Sequence, residues 1–181
     1  KGIICSELEH RLVVDFENYK QALSDITPLF TEAIMTHPFL ICQKSEYNTL
    51  REHASQSPWK DFANEARKVV SKLTYDPAES VTRRATDVRD IMGSSALLYI
   101  IEPDNQDAHR KRITHILDQW SQFATDVADR WDAGDNRWGA TVPPSSGFFN
   151  TVLALDIIHD DLSESDLQRY EQSLADMADW F

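Results

Sequence analysis

The stretch SSGFFNTVLALDIIHDDLSESDLQRY, residues Ser145–Tyr170, contains an apolar run, a pair of aspartates and a helix-start signal. The spacing and density of its apolar residues predict a buried helix. Ser163 followed by Asp166 has the form of a capping box, which predicts that one helix ends near His159 and that another begins at Ser163. The stretch therefore predicts two helices that meet at an acidic corner, the name used below for residues 156–161.

The rest of the chain continues the helical pattern. Only five glycines occur in 181 residues, one apolar segment with helical period follows another, and alternating β-branched runs are almost absent, which indicates an all-α protein. Helices are predicted to start at Ser6, Ser45, Ser57-Pro58, Ser80 and about Asn105, the last of them running without a break to about Ala128. In the third helix the predicted inward-facing residues are Trp59, Phe62, Ala66, Val69 and Val70.

Composition excludes some functions. The formal net charge of −12 repels nucleic acid and anionic membranes, so we expect no nucleic-acid partner. No apolar run approaches the ~20 residues of a membrane span. Cys5 and Cys42 form no CxxC motif, and a disulfide and two free thiols both remain open. The sequence begins at Lys1 and stops within an amphipathic pattern, so we expect a processed or cut chain.

The acidic corner has two interpretations. Asp160, Asp161 and Asp166 spell DDxxxxD, which resembles the first aspartate-rich motif of isoprenyl diphosphate synthases, where carboxylates hold magnesium. That chemistry requires a helix that continues through the motif, whereas the capping box predicts an interruption. The Gly-Gly-Lys-Arg and Arg-Arg-Gly segments of that family are also missing. We therefore favour a helix corner, and we assign neither a metal ion nor a cofactor, although Asp156, His159 and Asp160 could share a helix face.

A second candidate site lies in DRWDAGDNRWGATVPPSSG, residues 129–147, which has turn chemistry and no period and is predicted to be a long loop. Aromatic faces stack on the apolar C–H surfaces of sugars, and Arg or Asn side chains bind sugar hydroxyls or carboxylates. The aromatic residues could instead only anchor the loop to the helices beneath it. Trp138 is the principal predicted substrate-binding residue, with Trp131, Arg137, Phe148 and Asn150 as further members.

Three segments together resemble the N-terminal part of the heparinase II/III-like and alginate-lyase polysaccharide lyases. They are THPFLICQKSEYNTLREHA, ALLYIIEPDNQDAHRKRITHILDQW and GFFNTVLALDIIHDDLSESDLQRYEQSLADM, which cover roughly Thr36 to Met177 in the family's order. The resemblance implies an incomplete α/α toroid of antiparallel helical hairpins. Residues 36–181 would form its first hairpins, and residues 1–35 would be an N-terminal helical extension.

The resemblance also implies a secreted enzyme that cleaves an acidic polysaccharide or oligosaccharide by β-elimination at a uronic acid. It implies that the main catalytic residues lie on a companion C-terminal segment or chain, so their positions remain unknown. A polyanionic substrate would need a basic groove, but Arg83, Arg84 and Arg89 are predicted to form an exposed mixed face with Asp87 and Asp90. The alternatives are a magnesium-dependent isoprenoid synthase and a non-enzymatic helical scaffold that binds a protein partner.

Overall fold

A computed structural model describes residues 37–133 and 137–180. The chain divides into two units after Thr36, and the described residues belong to the second unit. The predicted N-terminal helical extension, with Cys5 and Ser6, lies outside them. The described part is all-α and contains no strand. Its helices are α1 (Tyr47–Ala54), α2 (Trp59–Lys72), α3 (Val81–Ile101), α4 (Gln106–Leu117), α5 (Trp120–Asp132), α6 (Arg137–Ile158) and α7 (Glu164–Trp180).

Helix α3 is the central helix of this unit. It begins where predicted, because the side-chain oxygen of Ser80 accepts a hydrogen bond from the backbone N–H of Arg83 at 3.3 Å. It ends before Pro103, which starts a short 3-10 turn into α4. Eleven of its residues are buried. A helix covered in this way needs neighbours on several faces, and α1, α2, α4 and α6 supply them.

Helices α3 and α6 pack most closely and run in the same direction. Gly147, in the middle of α6, lies against Ala85 and Val88, whereas Asn150, three residues later, lies against Gly93 further along α3. A Cβ atom at position 147 would stand 3.1 Å from the backbone oxygen of Ala85. Any other residue there would require the neighbouring backbone to move by a few tenths of an ångström.

The single helix predicted from Asn105 to Ala128 is wrong, because the chain breaks between α4 and α5 at Asp118 and Gln119. The Asp118 carboxylate accepts hydrogen bonds from Tyr170 at 2.8 Å and from Arg169 at 2.9 Å, both on α7. Beyond the break, Trp120 and the rest of the apolar face of α5 are buried. Because of this break, residues 106–132 form two helices that contact both α3 and α7.

The long loop predicted at residues 129–147 is also wrong. Helix α5 continues to Asp132 and α6 already begins at Arg137, so most of the segment is helical even though Pro143 and Pro144 lie inside α6. Each proline removes one backbone donor from the helix. The packing of α6 on α3 compensates, since Pro144 and Gly147 are both buried. Local turn chemistry is overridden here by tertiary burial.

The predicted inward face of α2 is wrong for its aromatic residues. Ala63 and Ala66 are the buried residues of this helix, whereas Trp59 and Phe62 are 55% and 63% exposed. Small side chains allow α2 to lie close to α3, and this orientation turns the two large rings outward. They form a tilted pair with ring centroids 6.1 Å apart.

The predicted exposed mixed face of α3 is wrong in part. Arg84 is buried, its guanidinium group pairs with Asp126 at 2.7 Å, and it stands 5.6 Å from the centre of the Phe123 ring. Asp87 is buried as well and accepts a hydrogen bond from Arg83 at 3.0 Å. Helix α5 covers Arg84, so this guanidinium serves packing between helices.

The prediction of no membrane span agrees with the structure. Within residues 37–133 and 137–180, every helix is too short or too polar to cross a bilayer.

Replacing Gly147 by Val tests the close approach of α3 and α6. We expect the free energy of unfolding to fall by about 1–3 kcal/mol, because the new side chain would overpack the contact with Ala85 and Val88. Urea denaturation followed by circular dichroism measures the change. Val142→Ala, at an exposed position of the same helix, should change stability by less than about 0.5 kcal/mol. Equal stability of Gly147→Val and the parent chain would refute this account of the packing.

Candidate functional site

The acidic corner joins α6 to α7 through a 3-10 turn, His159–Asp161. The predicted interruption of the helix is confirmed, since the Ser163 hydroxyl oxygen accepts a hydrogen bond from the backbone N–H of Asp166 at 3.1 Å and α7 begins at the next residue, Glu164. The aspartate side chains of the corner therefore do not line up along one face of a continuous helix. Each of them contacts a different part of the chain.

Asp156 is buried and holds the segment that precedes α1. One of its carboxylate oxygens lies 2.6 Å from Nδ1 of His37. The other accepts hydrogen bonds from the backbone N–H groups of Phe39 at 3.1 Å and Leu40 at 3.0 Å. Charge-assisted hydrogen bonds of this kind are stronger than neutral ones, and the low local dielectric strengthens them further. Asp156 thus fixes the beginning of the second unit to the end of α6.

His159 and Asp160 extend this contact toward the surface. The imidazole rings of His159 and His37 stack with centroids 3.6 Å apart. Asp160 accepts a hydrogen bond from Lys44 at 2.7 Å and lies 3.0 Å from Nδ1 of His159. The Lys44 ammonium group, followed by His159, lowers the pKa of the Asp160 carboxyl group. The pair is exposed, so it contributes little to stability.

Asp161 connects the corner to α3 and α4. Its carboxylate accepts a hydrogen bond from the Tyr99 hydroxyl group, and its backbone oxygen accepts one from Arg110 at 3.1 Å. Burial, followed by the hydrogen bond to Asp161, raises the pKa of Tyr99. The phenol therefore stays protonated at neutral pH and acts as a donor.

Two buried groups lie beside these aspartates. Cys42 forms no disulfide among the described residues, and burial followed by Glu46 and Asp156 raises its pKa, which disfavours the reactive thiolate. The Tyr47 hydroxyl group has no hydrogen-bond partner among the described residues, and burial raises its pKa as well. Both groups are in their neutral forms at physiological pH. Whether Cys42 can pair with Cys5 falls outside the described residues.

The corner acts as a set of anchors between segments. In the part of the chain that the structure describes, no group of three or more His, Cys, Asp or Glu side chains is arranged to hold a metal ion. Asp156, Asp160 and Asp161 are each bonded to separate protein donors. These protein donors compensate the negative charges of the three carboxylates, without a metal ion.

The predicted substrate-binding residues fall on two helices. Trp131 lies in the last turn of α5 and is 37% exposed. Arg137 and Trp138 are the first two residues of α6, and their side chains lie outside the described part. Trp131 and Trp138 therefore flank the short connection between α5 and α6. The role of these side chains in substrate binding stays a prediction.

Phe148 and Asn150 lie further along α6. The Phe148 ring is half-buried and packs on Trp120 with centroids 6.3 Å apart, so it joins the hydrophobic core. The Asn150 amide donates a hydrogen bond to the backbone oxygen of Ser146 at 2.9 Å and lies against Gly93. Phe148 and Asn150 thus lie on different sides of α6, toward α5 and α3 respectively, and both come later in the helix than Trp138.

A polar cavity of about 440 Å³ between α4 and α7 was not predicted from the sequence. Arg169 bridges Asp118 at 2.9 Å and Asp166 at 3.0 Å, while burial followed by the hydrogen bond to Asp118 raises the pKa of Tyr170 to about 12. The only available signal was the Asp118-Gln119 pair, which could have indicated a break in the helix. Arg169 pairs with carboxylates of the cavity itself, whereas Arg110 and Lys111 both pair with Asp107 on α4.

Comparisons with protein-family models, with curated protein sequences and with solved structures find no match for the chain. The resemblance to polysaccharide lyases therefore rests on the three quoted segments themselves. Those segments are in contact at the acidic corner, through Asp156 with His37 and Asp161 with Tyr99.

Asp156→Ala tests the anchoring role of the corner. We expect a loss of about 1–3 kcal/mol in the free energy of unfolding, because two backbone N–H groups and His37 lose a common acceptor. Thermal denaturation provides the measurement. Asp160→Ala removes a carboxylate from the exposed side of the same corner and should cost less than about 1 kcal/mol. If both variants lose the same stability, Asp156 has no special role.

Proposed function

We propose that this chain is the N-terminal part of a secreted polysaccharide lyase whose described helices are the first hairpins of an incomplete α/α toroid. The observation that carries the proposal is the direction of the helices. Helix α3 begins one helical hairpin and α6 begins the next, and these two helices run in the same direction. Their later helices, α5 and α7, also run together, since Asp118 meets Tyr170 and residues 121–128 meet residues 173–177. Stacked hairpins of a toroid repeat in this manner.

The acidic corner gives a second line of support. Asp156, in the third resembling segment, binds His37 in the first, and Asp161 accepts a hydrogen bond from Tyr99 in the second. Residues far apart in the sequence thus meet at one place. The three resembling segments therefore fold together as parts of one structure. A shared architecture with the family would require this.

The proposed reaction is β-elimination at a uronic acid residue of an acidic polysaccharide or oligosaccharide. A base removes the proton beside the carboxylate, the bond to the departing glycosidic oxygen breaks, and an acid protonates that oxygen, which leaves a double bond conjugated with the carboxylate. No cofactor takes part. The base and the acid are assigned to a companion C-terminal segment or chain, and this chain supplies the wall of hairpins and the Trp138 contact.

The scaffold alternative is favoured by one observation, an apolar groove between α1, α2 and α3 whose border exposes Trp59 and Phe62. The isoprenoid synthase alternative needs Asp160 and Asp161 free to hold magnesium, and these carboxylates are bonded to Lys44 and Tyr99. We therefore rank the lyase first and the scaffold second.

An elimination assay tests the proposed reaction. The longest natural polypeptide that contains this chain should convert a uronic-acid glycan into a product with the ultraviolet absorbance of a conjugated double bond, and a neutral glycan should give none. Removal of divalent metal with a chelator should leave the rate unchanged. Magnesium-dependent release of diphosphate, lost in Asp160→Ala and Asp161→Ala, would replace the lyase by the synthase.

Trp138→Ala tests the substrate contact in the same polypeptide. If the indole stacks on a sugar ring, glycan affinity should fall by about 1–3 kcal/mol with little change in melting temperature. Isothermal titration calorimetry and thermal denaturation on one preparation separate the two effects. Leu155→Val, at a buried position of the same helix outside the predicted site, should lower the melting temperature and leave affinity unchanged. Unchanged glycan affinity in Trp138→Ala would remove Trp138 from the site.

A further inference from the structure

Residues 37–42, called the strap below, precede α1 and lie against the C-terminal end of α6. Within the described part of the chain, the hydrogen bonds that tie the strap to the rest of the unit all go to the carboxylate of Asp156. Two of them come from the backbone N–H groups of Phe39 and Leu40, and the third joins the imidazole of His37. The polar attachment of the strap is therefore concentrated on one side chain.

Little apolar burial holds the strap in place. Three of its apolar residues are largely exposed to water, namely Phe39 at 40%, Leu40 at 46% and Ile41 at 66%. Pro38 and Cys42 are buried, and the His37 ring stacks on that of His159. Because stability from burial scales with the apolar area removed from water, the strap gains less from packing than a core helix does. A segment held in this way can open locally while the helices around it stay folded.

The strap ends where the chain turns into α1. Gln43 and Glu46 close a 3-10 turn with two hydrogen bonds, one of 2.8 Å to the Glu46 carboxylate and one of 2.9 Å to the Gln43 backbone oxygen. Helix α1 is fixed to α3 separately, because Nε of Arg51 donates a hydrogen bond to the backbone oxygen of Ile100 at 2.8 Å. The turn and α1 therefore have attachments of their own, and the strap can move about its junction with the turn.

The strap covers one side of a cavity of about 330 Å³. Ile41 and Cys42 line this side, whereas Leu97 of α3 and Leu153 of α6 are among the residues that line the others. The Cys42 residue is only 8% exposed, so a reagent in solution reaches its thiol when the strap moves away. Opening of the strap would uncover the thiol and the apolar sides of α3 and α6 together.

We propose that the strap is a lid that opens as a local unit, with Asp156 as its latch and the junction of Cys42 with Gln43 as its hinge. In the closed state the lid covers the Cys42 thiol and one side of the cavity. In the open state both face solvent, while the helices remain folded. The contacts of Asp156 set the population of the open state, because three groups of the lid share this one acceptor. This inference is independent of the lyase proposal.

Alkylation of the Cys42 thiol by iodoacetamide measures the opening in the full chain, and peptide mass spectrometry distinguishes Cys42 from Cys5. Asp156→Ala should raise the rate of Cys42 alkylation at least about tenfold, because the lid loses its latch. Asp160→Ala removes the exposed partner of Lys44, which lies beyond the hinge, and should change the rate by less than about threefold. An unchanged rate in Asp156→Ala would overturn the proposal.

A second variant separates local opening from unfolding of the whole unit. Val127 is fully buried on α5, so Val127→Ala should lower the stability of the unit, which urea denaturation measures. If the lid opens locally, this variant should leave the rate of Cys42 alkylation unchanged. Acceleration in Val127→Ala in proportion to its lost stability would show that Cys42 reacts only after global unfolding. That result would refute the lid, whatever the rate in Asp156→Ala.

Discussion

Helices α3 and α6 approach each other so closely that a side chain at position 147 would meet the backbone of Ala85. This approach sets the position of every residue that follows on α6. It buries Thr151 and the apolar face behind it, and it brings the end of α6 beside the end of α3. Asp161 reaches Tyr99 because the two helices are parallel and in register. A slip by one turn would move this carboxylate about 5 Å and break the contact.

The acidic corner shows how one set of residue types can support different chemistry. A diphosphate site needs its carboxylates to converge on a cavity, where metal ions neutralise them. Here a 3-10 turn spreads the aspartates, and protein donors neutralise them separately. The corner therefore holds together the segment before α1, the end of α3 and the start of α7. The lyase proposal uses this result, because the three segments that resemble the family meet at this corner.

The groove and the corner divide the described unit into two kinds of surface. Charges near the corner and the polar cavity are paired, as for Arg169 with Asp118 and Lys44 with Asp160. The groove between α1 and α3 has few polar groups and leaves Trp59 and Phe62 in water.

The sequence by itself determined the all-α class, the cap at Ser80 and the capping box at Ser163, because these depend on residues within one or two turns of each other. It did not determine whether Pro143 and Pro144 end a helix, since burial of α6 against α3 overrides their local cost. It placed Trp59 and Phe62 inside, because helical period identifies an apolar face without showing which part of that face its neighbour covers. Tertiary structure decided that alanines pack there. It also assigned each aspartate of the corner its partner, through contacts across more than a hundred residues for Asp156 and Asp160 that no local pattern records.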